Sequence, residues 1–215
     1  MYLSKITLYT SGLTPSRLLQ LVNSGEYVMH QWLWSLFPGQ QQRQFLYRRE
    51  ELQGAFRFFV LSLQAPVQSD IFSVETRAFT PDVAAGQRFY FSLRANPTIC
   101  KAGKRHDLLM EAKCRLKGQV EPAEIWSHQQ QAAQEWLARQ GEQSGFGLAQ
   151  VNVDAYRQQM IRKEKSRVIQ FSSVDYSGVL TVTDPLRFLH QLALGYGKSR
   201  AFGCGLMLIK PEYAA

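Results

Sequence analysis

The chain has 215 residues, of which 45% are hydrophobic and 20% charged, a composition typical of globular domains. No apolar run approaches the ~18 residues that span a bilayer, and the opening residues lack the layout of a signal peptide, so we expect a cytoplasmic protein without membrane contact. The three cysteines form no C-x-x-C pair, which argues against both a disulfide framework and a zinc site.

The positive charge of the chain is concentrated in two segments. The formal net charge is +8 and the pI about 9.5. Residues 94–117 hold seven lysines and arginines against two acids, and residues 157–167 hold five against one. Such segments favour a polyanionic partner, because neutralising phosphates releases their condensed counterions.

The first part of the chain predicts one ferredoxin-like unit. Thr14-Pro15 is a helix-start pair, with threonine as N-cap and proline in the first turn, and Asn23-Ser24-Gly25 interrupts the helix. A weakly patterned second helix is expected before the last strand, which gives the β-α-β-β-α-β plan. The predicted strands are 2–9, 45–49, 56–63 and 72–79, and a separate helix is predicted after the interruption, at about 26–36.

The same order of elements is predicted again in the rest of the chain. A half-buried strand is followed by a basic stretch without clear pattern, a helix, a basic hairpin at 156–171, a helix that starts at Asp184-Pro185 and ends at Gly195, and a last strand. The other ranges are strands 88–94, 148–153, 179–182 and 205–209 and helix 122–139. We therefore expect an α+β fold of tandem ferredoxin-like domains, 1–82 and 86–215.

A glycine-rich loop, GYGKSRAFGCGL, follows that last helix. A nucleotide-binding Walker loop would need a glycine where Leu192 stands and would lie before a helix, whereas this loop lies after one. The sequence therefore predicts no nucleotide cofactor. Two interpretations remain: a helix C-cap at Gly195 with close packing of Gly203 and Gly205, or a loop whose Lys198 and Arg200 lie against phosphates.

The loop also has the pattern G-h-G-x-x-x-x-x-G-x-G, which resembles the C-terminal loop of the CRISPR-associated repeat-processing endoribonucleases. The segments MYLSK, YVMHQWLWSLFPG, LRANP and GKSRAFGCGLM, in this order, are similar to the Cascade-type (type I-E) branch, the CasE/Cse family. The resemblance implies two ferredoxin-like domains and cleavage of CRISPR repeat stem-loops in precursor RNA. It further implies that the protein works with other Cascade subunits. Residues 98–147 carry no matching motif.

Tyr27 and His30 are the candidate catalytic pair. They lie three residues apart, so both project from one face of the predicted helix. A histidine on an apolar helix is otherwise a structural residue, and the resemblance implies the catalytic role. RNA supplies its own nucleophile, the 2′-OH, so an acid, a base and a cation for the charged phosphorane suffice. Lys165 or Arg162 could be that cation. No carboxylate cluster suits a metal, so no cofactor is expected.

The remaining candidate residues would bind the RNA backbone, from the basic hairpin and the glycine-rich loop. A-form RNA is recognised mainly by shape and phosphate contacts, which suits such a hairpin. The candidate RNA-binding residues are Arg94, Arg157, Arg162, Lys163, Arg167, Gly197, Lys198, Ser199, Arg200 and Gly203.

Two other functions are compatible with the sequence. Ser144-Gly145-Phe146-Gly147 and the residues after it partly match the RRM motif, which suggests a base-stacking RNA-binding module, although Ser144 and Leu148 replace its basic residue and second aromatic residue. A non-catalytic subunit of the same ribonucleoprotein is the other alternative. Trp32 and Trp34 are expected to pack in the core rather than stack on bases.

Overall fold

A computed structural model describes residues 1–162 and 168–212. The chain divides into two units. The first comprises residues 1–81 and 200–203 with described residues between 159 and 170, and the second comprises the remainder. The domain limits drawn from the sequence, 1–82 and 86–215, stay a prediction.

The sheet of the first unit has four antiparallel strands. Its strands and its main helix are β1 (Tyr2–Tyr9), α1 (Pro15–Trp34), β2 (Phe45–Leu52), β3 (Ala55–Ser62) and β4 (Phe72–Ala78). The spatial order is β2-β3-β1-β4, so the first strand lies between the third and the fourth. The predicted strands are confirmed, with β2 ending at Leu52 rather than at residue 49 and β3 starting one residue earlier than predicted, after a tight turn at Gly54.

Helix α1 covers one face of this sheet. The Thr14 hydroxyl accepts the N–H of Arg17 at 3.4 Å, and proline stands in the first turn, as predicted. At Gly25 the backbone leaves helical geometry, with φ 20° and ψ −99°, so the predicted interruption is a kink inside one helix. The second half then buries Met29 and Leu33 in a core with strand residues such as Phe58.

The second helix predicted for this unit is wrong. The described residues 63–71, between β3 and β4, contain no helix. Pro66 disfavours helical geometry at the residue before it, and both Leu63 and Val67 are exposed, at 58% and 43%. The segment therefore lacks the buried apolar face that stabilises a short helix.

The sheet of the second unit has the same strand order. Its spatial order is β10-β5-β9-β8, again with the first strand between the third and the fourth. Along β5 the residues Phe89, Phe91 and Leu93 are buried and alternate with more exposed residues, which confirms the predicted half-buried strand. The elements of this part of the chain are β5 (Arg88–Ala95), β6 (Thr98–Lys101), β7 (Lys104–Asp107), α2 (Leu108–Leu116), α3 (Ile125–Ser144), β8 (Phe146–Arg162), β9 (Val168–Val182), α4 (Pro185–Leu194) and β10 (Met207–Pro211).

Two helices pack on one face of this sheet through aromatic pairs. Trp136 of α3 stacks on Tyr176 at 6.2 Å, and Phe188 of α4 stacks on Phe89 at 6.3 Å. The Asp184 carboxylate accepts the N–H of Arg187 and caps α4, as predicted. The chain thus has an α+β fold with two ferredoxin-like units in tandem, the first without its second helix.

The elements β6, β7 and α2 were not predicted. β6 and β7 form a separate two-stranded ribbon, joined through Ala102 and Gly103. Most of their side chains are exposed, so the strands show no alternation of apolar and polar residues. The stretch without pattern is therefore an ordered insertion between β5 and α3.

Candidate active site

The predicted catalytic pair lines one cleft of the first unit. Tyr27 and His30 project from the second half of α1 into a cavity of about 350 Å³. The kink at Gly25 precedes both residues, so they belong to the helical segment that the core holds in place. The other lining residues are Gln31 and Trp34 of the same helix and Ala201 and Phe202 of the glycine-rich loop.

Three aromatic rings surround the imidazole of His30. The ring of Tyr47, on β2, is stacked on it with centroids 6.3 Å apart and planes 24° apart. Trp34 meets it edge-on at 5.8 Å, and Phe202 lies 5.9 Å away. A side chain held between several rings has few accessible rotamers, so the position of this imidazole is largely fixed before any substrate binds.

Two side chains hold the loop segment that lines the cleft. The Arg43 guanidinium donates to the carbonyl of Arg200 and, at 3.0 Å, to the carbonyl of Phe45. The Tyr47 hydroxyl donates to the carbonyl of Ala201 at 3.1 Å. Burial lowers the pKa of Arg43 below its ordinary value, yet a guanidinium remains charged at neutral pH. Both donors thus fasten the backbone beside Phe202.

The glycines of the loop have close backbone and ring neighbours. Gly195 ends α4, as predicted. A Cβ on Gly197, where φ is 72°, would lie 2.8 Å from the carbonyl oxygen of Asn96, and one on Gly203 would lie 3.3 Å from the ring of Tyr47. Close packing therefore accounts for these two glycines. The contact with RNA predicted for Gly197 and Gly203 stays a prediction.

The predicted basic residues have different surroundings. Arg94 makes two hydrogen bonds to Asp175, of 2.7 and 2.9 Å, and its side chain is 20% exposed. Arg157 reaches the same carboxylate at 3.4 Å and is 58% exposed. These two cations therefore converge on Asp175, and Arg157 offers more surface to a ligand.

The other predicted contacts belong to the glycine-rich loop and to residues 162–167. Lys198 is exposed, and its N–H donates to the carbonyl of Asn96 at 3.1 Å. The Asn96 amide donates to the Ser199 hydroxyl at 2.7 Å. Arg162 ends β8. Lys163, Lys165 and Arg167 lie outside the described residues.

The segment that partly matches the RRM motif does not form a base-stacking surface. Gly145, with φ 79°, caps the end of α3. The ring of Phe146 is 1% exposed and meets the rings of Phe188 and Tyr196 in the core. A buried ring cannot stack on a base, so this interpretation is wrong.

Sequence reasoning missed the residues that surround the pair. Tyr47 and Phe202 are distant from His30 in the sequence, and only the folded structure brings their rings to it. Arg43 acts at a further step, on the backbone of the loop segment that carries Phe202. Trp34 could have been found, because it lies four residues after His30 on the same helix face. Trp32 and Trp34 pack against the core of this unit, as expected.

Within residues 1–162 and 168–212, no three His, Cys, Asp or Glu side chains come together as metal ligands would. None of the helices in these same ranges combines the length and hydrophobicity that a membrane span requires.

The chain is similar to known proteins both in sequence and in structure. The family described as "CRISPR associated protein" matches residues 1–211. The chain is 31% identical over 194 residues to the "CRISPR system Cascade subunit CasE" of Escherichia coli (strain K12), which covers 86% of this chain and 92% of that protein.

Two solved structures resemble the chain over nearly its whole length. The CRISPR endoribonuclease Cse3 bound to 19 nt RNA is 27% identical with a TM-score of 0.74, covering 98% of this chain and 100% of that one. Thermus thermophilus Cse3 bound to an RNA representing a pre-cleavage complex is 27% identical with a TM-score of 0.72, covering 98% of each chain.

Proposed function

The chain belongs to the family of CRISPR-associated proteins, and we propose that it is a metal-independent endoribonuclease that cleaves CRISPR repeat stem-loops in precursor RNA. It leaves a 2′,3′-cyclic phosphate and a 5′-OH, and it stays with the mature RNA as a Cascade subunit in the cytoplasm. The observation that carries the proposal is the cleft of the first unit, in which Tyr27 and His30 face one cavity.

The similar proteins support this activity. One is named a Cascade subunit, and two structures are of an endoribonuclease with RNA, one of them representing a pre-cleavage complex. The similarity to this chain extends over nine-tenths or more of the length of each of these proteins. The likeness therefore includes the part of the chain that forms the cleft.

The reaction needs proton transfer and charge stabilisation. The 2′-oxygen attacks the adjacent phosphorus and gives up its proton, the bond from phosphorus to the 5′-oxygen breaks, and the leaving oxygen takes a proton. His30 can transfer a proton at neutral pH, and we assign it the leaving oxygen. Tyr27 contacts the 2′-OH or the phosphate. Lys165, which lies outside the described residues, is assigned to the charged phosphorane.

The surroundings of His30 suit this role. A catalytic group must hold its geometry to within about 0.5 Å, which requires packed neighbours. Tyr47 provides the stacked ring and also the hydrogen bond to Ala201. Its one side chain thus fixes both the imidazole and the loop segment that carries Phe202. We assign Tyr47 the part of a positioning residue.

The basic side chains would hold the RNA. Exposed cations such as Arg157 and Lys198 can neutralise phosphates directly. Arg94 is hydrogen-bonded to Asp175, which also pairs with Arg157, so Arg94 contributes to RNA binding by orienting this group of three charged side chains. We retain Arg162, Lys163 and Arg167 as phosphate contacts from the hairpin, with Ser199 and Arg200 from the loop.

The test is cleavage of a labelled repeat RNA by the pure protein, with and without EDTA. We expect equal cleavage in both. Activity that disappears in EDTA and returns with Mg²⁺ would contradict the proposed mechanism. An intact substrate under all conditions, with tight binding, would instead favour the non-catalytic subunit.

A substrate with hydrogen in place of the 2′-OH beside the scissile phosphate tests the nucleophile. It should bind and stay uncut, because the attacking oxygen is missing. A cut in this RNA would mean that water is the nucleophile.

A further inference from the structure

The insertion between β5 and α3 carries a concentration of positive charge. We call residues 98–117, which comprise β6, β7, α2 and its C-cap Lys117, the ribbon surface. It holds six lysines and arginines against two acids, Asp107 and Glu111. The ferredoxin-like plan does not require this insertion, so its charge calls for a separate explanation.

Both acids of the ribbon surface are engaged by their own neighbours. One oxygen of Asp107 accepts the N–H groups of Leu109 and Met110 and caps α2, at 2.9 and 3.1 Å. The other accepts from Tyr156 at 2.7 Å and Gln158 at 3.3 Å. Burial, and next the bond to Asp107, raises the pKa of Tyr156, so the phenol remains a donor.

Glu111 is engaged in the same way. The Lys101 ammonium donates to it, and this hydrogen bond lowers the pKa of the carboxyl below its ordinary value. One cation and both acids of the ribbon surface are therefore already committed to each other or to the fold.

Five cations remain. In the two stretches of chain that the structure describes, none of the five has a carboxylate oxygen within 4 Å, and all are exposed at the surface. Like charges on one surface repel, which lowers stability unless a polyanion covers them. The five are Lys104, Arg105, Lys113, Arg115 and Lys117.

The backbone that carries these five cations is held in place by a tight turn and by packing of α2. Ala102 and Gly103, with φ of 47° and 74°, form the kind of two-residue turn that matches the twist of a hairpin. Helix α2 buries Leu109 fully, and Gln129 of α3 donates to its carbonyl at 2.9 Å. A cation on a fixed frame loses less entropy when it binds than one on a mobile tail.

We propose that the ribbon surface is a second phosphate-binding site, which holds the backbone of the RNA that the protein cleaves. The inference rests on the proposed function and adds a contact region separate from the hairpin and the glycine-rich loop. RNA fits better than a membrane, because α2 buries Leu108, Leu109 and Ala112, and Met110 is its one large hydrophobic side chain that is exposed, at 40%. Binding there is sequence-independent, because the cations meet phosphates rather than base edges.

The chain carries its own reporters for this site. Cys100 stands opposite Arg105 in the ribbon, and Cys114 lies between Lys113 and Arg115 on α2. Both thiols are exposed, whereas Cys204 is buried. Alkylation with iodoacetamide, followed by peptide mass analysis, measures the access to each thiol in the wild-type protein.

The 2′-deoxy repeat RNA, which stays uncut, is the probe. At saturating RNA we expect Cys100 and Cys114 to lose their labelling, with Cys204 unlabelled throughout. Polyglutamate of equal charge should leave both thiols reactive. Unchanged labelling under saturating RNA overturns the proposal, and so does protection by polyglutamate but not by RNA.

Charge variants measure the contribution to affinity. We compare Lys104→Gln/Arg105→Gln and Lys113→Gln/Arg115→Gln with the control Arg139→Gln/Lys210→Gln, which removes two exposed cations elsewhere in the second unit. Each test pair should lower the slope of log affinity against log salt by about 1.4 to 1.8, that is 0.7–0.9 for each of two phosphates. The control should keep the wild-type slope.

The two proposals fail in different ways. A wild-type protein that protects both thiols with RNA but never cuts the repeat contradicts the proposed function alone. A protein that cuts the repeat while both test pairs keep the wild-type slope contradicts the ribbon surface alone.

Discussion

The two halves of the glycine-rich loop have similar composition and different surroundings. Residues 195–199 belong to the second unit and are held by backbone bonds at Asn96, where Lys198 donates and Gly197 makes its close approach. Residues 200–203 belong to the first unit, and their carbonyls accept from Arg43 and Tyr47 beside His30. One run of glycines and cations therefore contains two segments with different roles. The first half packs against the backbone at Asn96, and the second half lines the cleft that contains His30.

The largest expected effect is on the cleavage rate, and it tests His30, the side chain that the second half of the loop lies against. His30→Ala should slow single-turnover cleavage by about 10²–10⁴, the usual contribution of a general acid or base. Repeat affinity should change little, because one imidazole makes few phosphate contacts. His190→Ala, on α4, is the matched control and should cleave at the wild-type rate.

Melting temperature, affinity and rate are measured on one preparation of each variant. A purely structural histidine would give a lower melting temperature and activity in proportion to the folded fraction. A stable His30→Ala protein that binds RNA and cuts at near the wild-type rate would remove His30 from the mechanism.

The next largest effect is on the stability of the protein, and it tests the close packing of Gly197 in the first half of the loop. Gly197→Ala places a side chain at φ 72° and 2.8 Å from a backbone oxygen, so both strain and overlap act. Gly86→Ala has a similar φ of 82° and open space around it, and is the control. The φ alone costs ~1–2 kcal/mol. We expect the melting temperature of Gly197→Ala to fall well below that of Gly86→Ala, and equal values would mean that close packing does not explain this glycine.

The sequence was sufficient for elements whose signals are local. The cap at Thr14, the break at Gly25 and the alternation along β5 each depend on a few adjacent residues, and the structure confirms them. The spacing of Tyr27 and His30 likewise placed both on one face. The ribbon of β6 and β7 was missed because exposed strands have no apolar pattern to detect.

The rest of the site depends on contacts between distant residues. The stack of Tyr47 on His30 pairs β2 with α1, and the bond from Arg43 to Arg200 joins residues 157 positions apart. No local pattern marks such pairs. The weak helix predicted after β3 was expected from the ferredoxin-like plan, and it is absent because residues 63–71 have no buried apolar face to stabilise it.

A smaller effect separates the two roles assigned to Tyr47. Tyr47→Phe keeps the stacked ring and removes the hydrogen bond to Ala201, a net loss of ~0.5–1.5 kcal/mol. If all of it appears in the transition state, cleavage slows by at most about tenfold. We expect the loss in the rate at saturating RNA, with affinity retained, because the loop segment beside His30 is displaced and no phosphate contact is removed.

Tyr176→Phe is the matched control, since it removes one bond from a buried tyrosine to the carbonyl of Ala133 in the second unit. Both variants should lose similar stability, and only Tyr47→Phe should lose rate. Equal rates in the two variants would leave the ring of Tyr47, without its hydroxyl, as the positioning group.

The smallest effect concerns the one exposed cation in the first half of the loop. Lys198 has its backbone fixed at Asn96 while its side chain reaches solvent, so the packing of this half and its contact with RNA are separable. Lys198→Gln should leave the melting temperature unchanged and lower the salt slope of binding by about 0.7–0.9, the value for one phosphate. Lys210→Gln, an exposed lysine on β10, should keep the full slope. If Lys198→Gln keeps it as well, the first half of the loop serves only to pack against Asn96, and the phosphates lie against other cations of the chain.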